Sequence, residues 1–271
     1  MNFLSTLAAK SNRTDPAPSP TPSPTPSPTP SPTPSRRDER GYNQLWEDSP
    51  STAIRTKRRA EILARALKVN AGGRILEVGS GNGNKAAAVA AATKCHVTGL
   101  DLSELFTTRA TRANLGNRSV DFVCSSVADL AHAAPESYDA IYGDGILHHL
   151  VYDLDRSLEL FQKLLVPGGS LAFLEPNKAN PYVFFAFNVE KLRTLTHLEP
   201  DENAFSKSFA ASKFTSAGFR NVEVSYRDFL LPALPMPLVA PVVRVGAMLE
   251  RTPVLRGFSQ SLLISGVRSP S

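Results

Sequence analysis

The sequence predicts an α/β domain in which a mainly parallel sheet carries helices on both faces. Beyond residue 40 of this 271-residue chain, short apolar runs alternate with stretches of helical periodicity. Repeated strand–helix units of this kind are typical of parallel sheets, because a helix usually connects two parallel strands. A glycine-rich turn follows the first predicted strand. It therefore lies at the carboxyl end of that strand, where ligands of such folds bind.

Each predicted element is bounded by a recognisable sequence signal. Ser103 can cap a helix by accepting a hydrogen bond from a free amide of its first turn, and Pro167-Gly168-Gly169 ends a later helix. The predicted strands cover residues 74–78, 95–100, 120–124, 138–143, 170–174 and 260–267. The predicted helices cover residues 54–67, 85–92, 103–115 and 153–165.

The first forty residues have a different composition from the rest. From Pro16 to Pro34 every second residue is proline, alternating mainly with Ser and Thr. Such a segment lacks the backbone donors and apolar side chains that a packed core needs. We therefore predict a disordered tail over residues 1–40 and one folded domain over residues 41–271.

Charge and cysteine usage limit the classes of partner and compartment. The net charge is +5, and much of the basic excess lies in residues 36–40 and 55–59, with no interleaved aromatic side chains. This pattern predicts a solvated helix face and no nucleic-acid partner, while a peripheral contact with an anionic membrane stays open. Cys95 and Cys124 both fall in predicted core strands, and no run of eighteen apolar residues occurs. These features favour a reducing, cytoplasmic location.

The glycine-rich turn, residues 77–83, reads Glu-Val-Gly-Ser-Gly-Asn-Gly. A dinucleotide fingerprint requires Gly or Ala at position 84, where this chain has Asn84, and Glu77 would repel a pyrophosphate. Both features disfavour a nicotinamide cofactor. They suit a ligand with positive groups and no phosphate, such as the amine and sulfonium of S-adenosylmethionine.

Asp101 ends the second predicted strand, 24 residues after Glu77. An acid at about this spacing binds the ribose hydroxyls in nucleoside-binding α/β folds. As an isolated residue, it could instead only precede the next helix. The spacing favours ribose binding and therefore an adenosine-type ligand.

Taken together, these motifs resemble the class I S-adenosylmethionine-dependent methyltransferases, particularly the group that includes ubiquinone and menaquinone biosynthesis enzymes. The matching segments are residues 75–83, 99–101, 138–141, 147–149, 165–169 and 175–177. The resemblance implies a Rossmann-like, doubly wound sheet of seven strands with an antiparallel last strand. It also implies transfer of a methyl group from S-adenosylmethionine to a small-molecule or lipid-like acceptor.

The resemblance also implies roles for individual residues. Glu77 and the glycine turn would line the methionine moiety, Ser126 and Val127 would meet the adenine, and Asp144 would approach the transferred methyl. The implied cofactor-binding set is Glu77, Gly79, Ser80, Gly81, Gly83, Asp101, Leu102, Ser126, Val127 and Asp144. His148 and His149 are candidate catalytic bases, and Glu175, Asn177 and Tyr182 are candidate acceptor-binding residues. No metal site is predicted.

Two apolar segments point to the acceptor side. The aromatic-rich insertion at residues 178–200 is a candidate lid, although simple packing onto the domain predicts the same pattern. Residues 229–243 are strongly apolar, which is the reason to consider a lipid or quinone; core packing is the favoured interpretation, and their prolines argue against a spanning helix. Tyr42 and Trp46 could cover the cofactor.

Three alternative functions remain open. A non-catalytic S-adenosylmethionine-binding protein would keep the same glycine turn and Asp101, so only acceptor turnover separates it from an enzyme. A nicotinamide-dependent oxidoreductase is disfavoured by Glu77 and Asn84. The alternative of a nucleic-acid methyltransferase is less favoured, because residues 143–146 lack the Asn/Asp-Pro-Pro-aromatic motif of amino-methylating enzymes.

Overall fold

The computed structural model describes residues 49–196, 198–199, 201–232 and 234–270. The predicted tail over residues 1–40 lies outside the described residues, as do Tyr42 and Trp46. These three predictions therefore remain expectations.

The described residues form a seven-stranded sheet with the order β3-β2-β1-β4-β5-β7-β6. Strands β1 to β5 run parallel to one another, and β7 is antiparallel to both β5 and β6. The strands are β1 (Arg74–Val78), β2 (His96–Asp101), β3 (Val120–Cys124), β4 (Tyr138–Asp144), β5 (Leu165–Pro176), β6 (Phe219–Arg227) and β7 (Ser261–Arg268). This topology confirms the predicted Rossmann-like sheet and its antiparallel last strand.

Helices connect the strands and extend the domain beyond β5. They are α1 (Pro50–Ala66), α2 (Ala86–Thr93), α3 (Glu104–Ala113), α4 (Val127–Ala133), α5 (Leu154–Leu164), α6 (Pro181–Asn188), α7 (Glu190–Leu195), α8 (Lys207–Ser216) and α9 (Met236–Leu249), with 3₁₀ turns at Leu147–Asp153 and Leu255–Phe258. The predicted cap of α3 is confirmed, since the Ser103 hydroxyl accepts a hydrogen bond from the Phe106 amide at 3.2 Å.

The sheet is buried on both faces, because its side chains alternate between two apolar clusters. In β1, Leu76 and Val78 belong to a cluster with α5 and α8, whereas Ile75 belongs to a cluster with α1 and α2. Strand order reverses between β1 and β4, so the carboxyl ends of these two strands border the crevice where ligands of doubly wound sheets bind.

One burial prediction is wrong, and another holds only in part. Cys124 is exposed, because β3 is an edge strand of the sheet, while Cys95 is buried as expected. Core packing holds for only part of the 229–243 segment: Leu230 and Val239 are buried, whereas residues 235–238, 240 and 241 are exposed. Among the described residues, no helix combines the length and apolarity needed to cross a bilayer.

Candidate active site

The glycine turn between β1 and α2 depends on backbone conformations that side chains disfavour. Gly79 has φ +70°, and a Cβ at this position would lie 2.7 Å from the Ile146 side chain. Gly83 has φ +73°, and its Cβ would lie 2.6 Å from the ring of Phe122. Glycine at both positions lets the turn close tightly beside the end of β4 and leaves its backbone open to a ligand.

Glu77 is a fully buried carboxylate at the start of this turn. Neither of its oxygens meets the distance and angle criteria of a hydrogen bond within the described part of the chain, although the Tyr142 hydroxyl lies close enough to favour the charged form. Burial raises the pKa of Glu77 to about 7, an effect that the Lys85 ammonium partly opposes. A buried carboxylate without donors is costly, so this site fits a ligand that brings a cationic amine.

Asp101 joins the end of β2 to the glycine turn. Its Oδ2 accepts a hydrogen bond from the Gly81 amide at 2.8 Å, and its Oδ1 accepts one from the Ser103 amide at 2.9 Å. The carboxylate is half-buried, and each oxygen keeps a further acceptor position that a ribose hydroxyl could use. Ser80, within this turn, is buried, and its hydroxyl has no hydrogen-bond partner among the residues described.

The remaining predicted cofactor-binding residues, Leu102 and the two adenine candidates Ser126 and Val127, follow β2 and β3. Leu102 is exposed directly after Asp101, and Val127 is half-buried at the start of α4. The Ser126 hydroxyl accepts from the Asp129 amide at 3.0 Å and donates to the Asp129 carboxylate at 2.6 Å. Ser126 therefore caps α4, and its hydrogen atom is already engaged.

Asp144, at the end of β4, is held by a buried guanidinium. Nε of Arg59 lies 2.9 and 3.0 Å from the two Asp144 oxygens, and Lys85 adds an ammonium at 3.4 Å. Burial alone would raise the pKa of Asp144, but Arg59 and Lys85 hold it well below its usual range. Nη1 of Arg59 also donates to Asp228 at 3.2 Å and to Ser261 at 2.9 Å.

The prediction that residues 55–59 form a solvated helix face is therefore wrong for Arg59, which is 3% exposed. Arg55 also turns inward: it donates to the Leu230 carbonyl and to Gln260, and burial lowers its pKa to about 10. These arginines fix α1 against the carboxyl end of β4 and the start of β7, so α1 forms one wall of the site.

His148 lies in the turn after β4 and is oriented by Glu175 from the end of β5. Nδ1 of His148 is 2.9 Å from Oε2 of Glu175. The same carboxylate accepts the backbone amides of residues 146–148 at 2.8–3.1 Å. Burial would lower the pKa of His148, but the hydrogen bond and charge of Glu175 outweigh it and raise the pKa.

The other acceptor-side residues have separate surroundings. His149 is half-buried, with Nδ1 2.6 Å from an oxygen of Glu202. Asn177 is buried and donates to the backbone carbonyls of Gly257 and Ser259, both at 2.8 Å. Tyr182 is 39% exposed on α6. Glu175 and Asn177 thus bind backbone groups, which leaves Tyr182 as the accessible member of the predicted acceptor set.

Similarity to known proteins decides the family. A family model described as "Methyltransferase domain" matches residues 76–173. The ubiquinone biosynthesis O-methyltransferase of Xanthomonas campestris pv. campestris is 30% identical over 191 residues, which cover 69% of this chain and 77% of that protein. This chain belongs to the class I S-adenosylmethionine-dependent methyltransferases. S-adenosylmethionine is the methyl donor of this family.

Other relatives of this methyltransferase match over shorter parts of their length. The 27-O-demethylrifamycin SV methyltransferase of Amycolatopsis mediterranei is 32% identical over 136 residues, 48% of this chain and 49% of that protein. The glycine/sarcosine/dimethylglycine N-methyltransferase of Actinopolyspora halophila is 29% identical over 70% of this chain but only 33% of its own length. A solved methyltransferase of Archaeoglobus fulgidus shares the fold, with a TM-score of 0.56 and 14% identity over 79% of this chain and 94% of its own.

Three residues of the methyltransferase site were not anticipated from the sequence: Arg59, Lys85 and Glu202. Arg59 appears as one of several arginines on an amphipathic helix, and only tertiary packing distinguishes it from its exposed neighbours. Glu202 follows the aromatic insertion, where no local motif marks an acid that folds back onto the two histidines.

Proposed function

We propose that this methyltransferase transfers a methyl group to a hydroxyl oxygen of a small molecule. The observation that carries the proposal is the buried pair of His148 and Glu175 beside the carboxyl end of β4. A base is needed only when the nucleophile must lose a proton, and a hydroxyl must do so whereas a free amine need not. One of the relatives described above is a ubiquinone biosynthesis O-methyltransferase, and another is a 27-O-demethylrifamycin SV methyltransferase.

The proposed mechanism assigns proton transfer to His148. Glu175 accepts hydrogen bonds from three backbone amides and also from Nδ1–H of the imidazole. Nε2 is therefore the ring nitrogen that can take the hydroxyl proton. When bound, S-adenosylmethionine would supply an already activated methyl group for the acceptor oxygen. Glu77 would bind the cationic end of this cofactor, and Asp101 its ribose.

The test is turnover of S-adenosylmethionine with a panel of phenols, sugars and quinone precursors, with products identified by mass spectrometry. Methylation of a hydroxyl group is expected. Methylation confined to amines or carbon acids would show that the acceptor is not a hydroxyl. Cofactor binding without turnover of any acceptor would favour the non-catalytic alternative. A lipid-like acceptor is the second candidate, because Phe184 and Phe185 of α6 expose their rings next to Tyr182.

We expect His148→Gln to lower kcat for a hydroxyl acceptor at least tenfold while leaving cofactor affinity within twofold. The wild-type kcat should rise with pH through the pKa of His148, above the ordinary 6.5, because only the neutral imidazole accepts a proton. Steady-state kinetics from pH 5.5 to about 9 would show this dependence. The control is His132→Gln, which changes an exposed histidine of α4. An unchanged kcat in His148→Gln would remove His148 from the mechanism.

We expect Asp101→Ala to weaken binding of S-adenosylmethionine at least tenfold, on the order of 1.4 kcal/mol. The substitution removes the ribose acceptor, the hydrogen bond that holds the glycine turn at Gly81, and the hydrogen bond to the Ser103 amide. Calorimetric titration measures the change, and Asp121→Ala on exposed β3 is the matched control. Equal affinities for wild type and Asp101→Ala would place the ribose elsewhere.

A further inference from the structure

The histidines after β4 meet a third ligand-type side chain that comes from a distant part of the sequence. His148 and His149 lie on the 3₁₀ turn, and Glu202 follows α7. One nitrogen of each histidine and one Glu202 oxygen lie within 4.8 Å of one another. The individual separations are 3.9 Å from His148 Nε2 to Glu202 and 2.6 Å from His149 Nδ1 to Glu202.

Glu202 is a buried carboxylate aimed into this cluster. Its exposure is 1%, and within the described ranges neither of its oxygens has a hydrogen-bond partner, although His149 is close enough for an ion pair. The segment that carries it is fixed by Arg193, which donates to the Phe187 carbonyl at 2.7 Å and to the Glu202 carbonyl at 3.4 Å. The carboxylate is thus held in place, and among the described residues its close partner is His149, which leaves lone pairs for a further ligand.

Glu175 supports the cluster from the far side of His148. Its bond to Nδ1 leaves Nε2 directed at Glu202 as the nitrogen with a lone pair. A carboxylate on the remote nitrogen of a histidine is the usual outer contact of a metal-binding imidazole, since it fixes the ring and increases its basicity.

We propose that Nε2 of His148, Nδ1 of His149 and the Glu202 carboxylate bind one divalent transition-metal ion, with zinc as the reference ion. Two imidazoles and one carboxylate suit zinc, iron, cobalt or nickel rather than magnesium or calcium, which prefer oxygen ligands. Donors bound at about 2 Å around such an ion are about 3.3 Å apart. His148 Nε2 lies 3.9 Å from Oε2 of Glu202 and His149 Nδ1 lies 2.6 Å from Oε1, on either side of that value. Small side-chain rotations would therefore bring the two nitrogens and one carboxylate oxygen to the spacing of a metal site.

The ion would bind to Nε2 of His148, which is the nitrogen that takes the proton in the proposed reaction. Metal-loaded protein should therefore methylate a hydroxyl acceptor more slowly than metal-free protein, and this consequence rests on the proposed function. The metal site itself does not, because its test needs no acceptor and can fail while O-methylation holds.

The test is calorimetric titration of the chelator-treated full-length protein with zinc chloride at pH 7.5. We expect one site of micromolar or tighter affinity, weakened at least tenfold in both Glu202→Gln and His149→Gln. Cobalt should give a visible absorption band in the wild type that both variants lose. His96→Gln and Cys124→Ser are matched controls, because His96 forms an exposed pair with Asp121 and Cys124 is an exposed thiol; both should bind zinc like wild type.

Thermal unfolding of each variant shows whether it is folded, and the half-exposed His149 keeps the test valid if Glu202→Gln is unstable. No zinc binding by wild type at about 100 µM, equal binding by wild type and both ligand variants, or loss of binding only in a control variant would each overturn the site. In that case Glu202 would serve only as an ion-pair partner of His149.

Discussion

Glu77→Gln should weaken the binding of S-adenosylmethionine about 100-fold, equivalent to about 3 kcal/mol. The substitution keeps the shape of the side chain and removes the negative charge that a cationic amine would require. Because the Glu77 carboxylate is fully buried, water cannot replace the lost interaction. Calorimetric titration at pH 8 measures the effect, and Glu159→Gln on the exposed face of α5 is the control.

The same variant should be more stable than wild type without ligand, because it no longer buries a charge. The pKa of Glu77 is raised from its ordinary 4.5 to about 7 by folding. Folding therefore takes up a proton between these values, and the stability that this uptake contributes is present at low pH and lost as pH rises through about 7. The advantage of Glu77→Gln should grow over that range. If affinity and stability both fall, Glu77 is a structural residue.

Arg59→Met should lower the free energy of unfolding by about 3 kcal/mol. The variant leaves Asp144 and Asp228 buried without their shared guanidinium, and removing one partner of a buried ion pair typically costs about 3–5 kcal/mol. Lys85 and Arg58 remain near the two acids, which places the expected loss at the lower end. Urea unfolding measures the change.

Arg65→Met is the control for this network, because Arg65 lies on the same helix with a side chain that is 80% exposed. A surface substitution of this kind is expected to change stability by less than about 0.5 kcal/mol. Adding Asp144→Asn to Arg59→Met should recover part of the loss, since the two side chains interact directly. If Arg59→Met loses less than about 1 kcal/mol of unfolding free energy, the remaining cations are sufficient to stabilise the two buried acids.

Hydrophobic periodicity and turn residues were enough to predict the parallel part of the fold. The bounds of β1 and β3 agree with the predicted residues 74–78 and 120–124, because a glycine or a polar cluster marks each end. Burial was harder to predict: the apolar pattern of β3 does not reveal that it is an edge strand, and that position exposes Cys124.

The candidate site likewise contains residues that the sequence indicates and residues that only the tertiary structure reveals. The glycine turn and Asp101 are local in sequence, so spacing alone could indicate the ligand class. Arg59 and Glu202 contribute through contacts with residues far along the chain, and neither helical periodicity nor a short motif encodes such partners. The role of Glu175 also depends on tertiary structure, since its acceptors are filled by amides of the turn after β4.

The position of β7 has a consequence for how the chain folds during synthesis. β7 lies between β5 and β6, and β6 pairs with no other strand of the described sheet. A nascent chain that ends before residue 261 therefore presents β5 as an open edge and leaves β6 without a strand partner. Exposed edges of this kind promote pairing with other chains. Addition of β7 is thus the step that closes the sheet, and purified chains truncated before residue 261 should resist proteases less than chains that include residues 261–268.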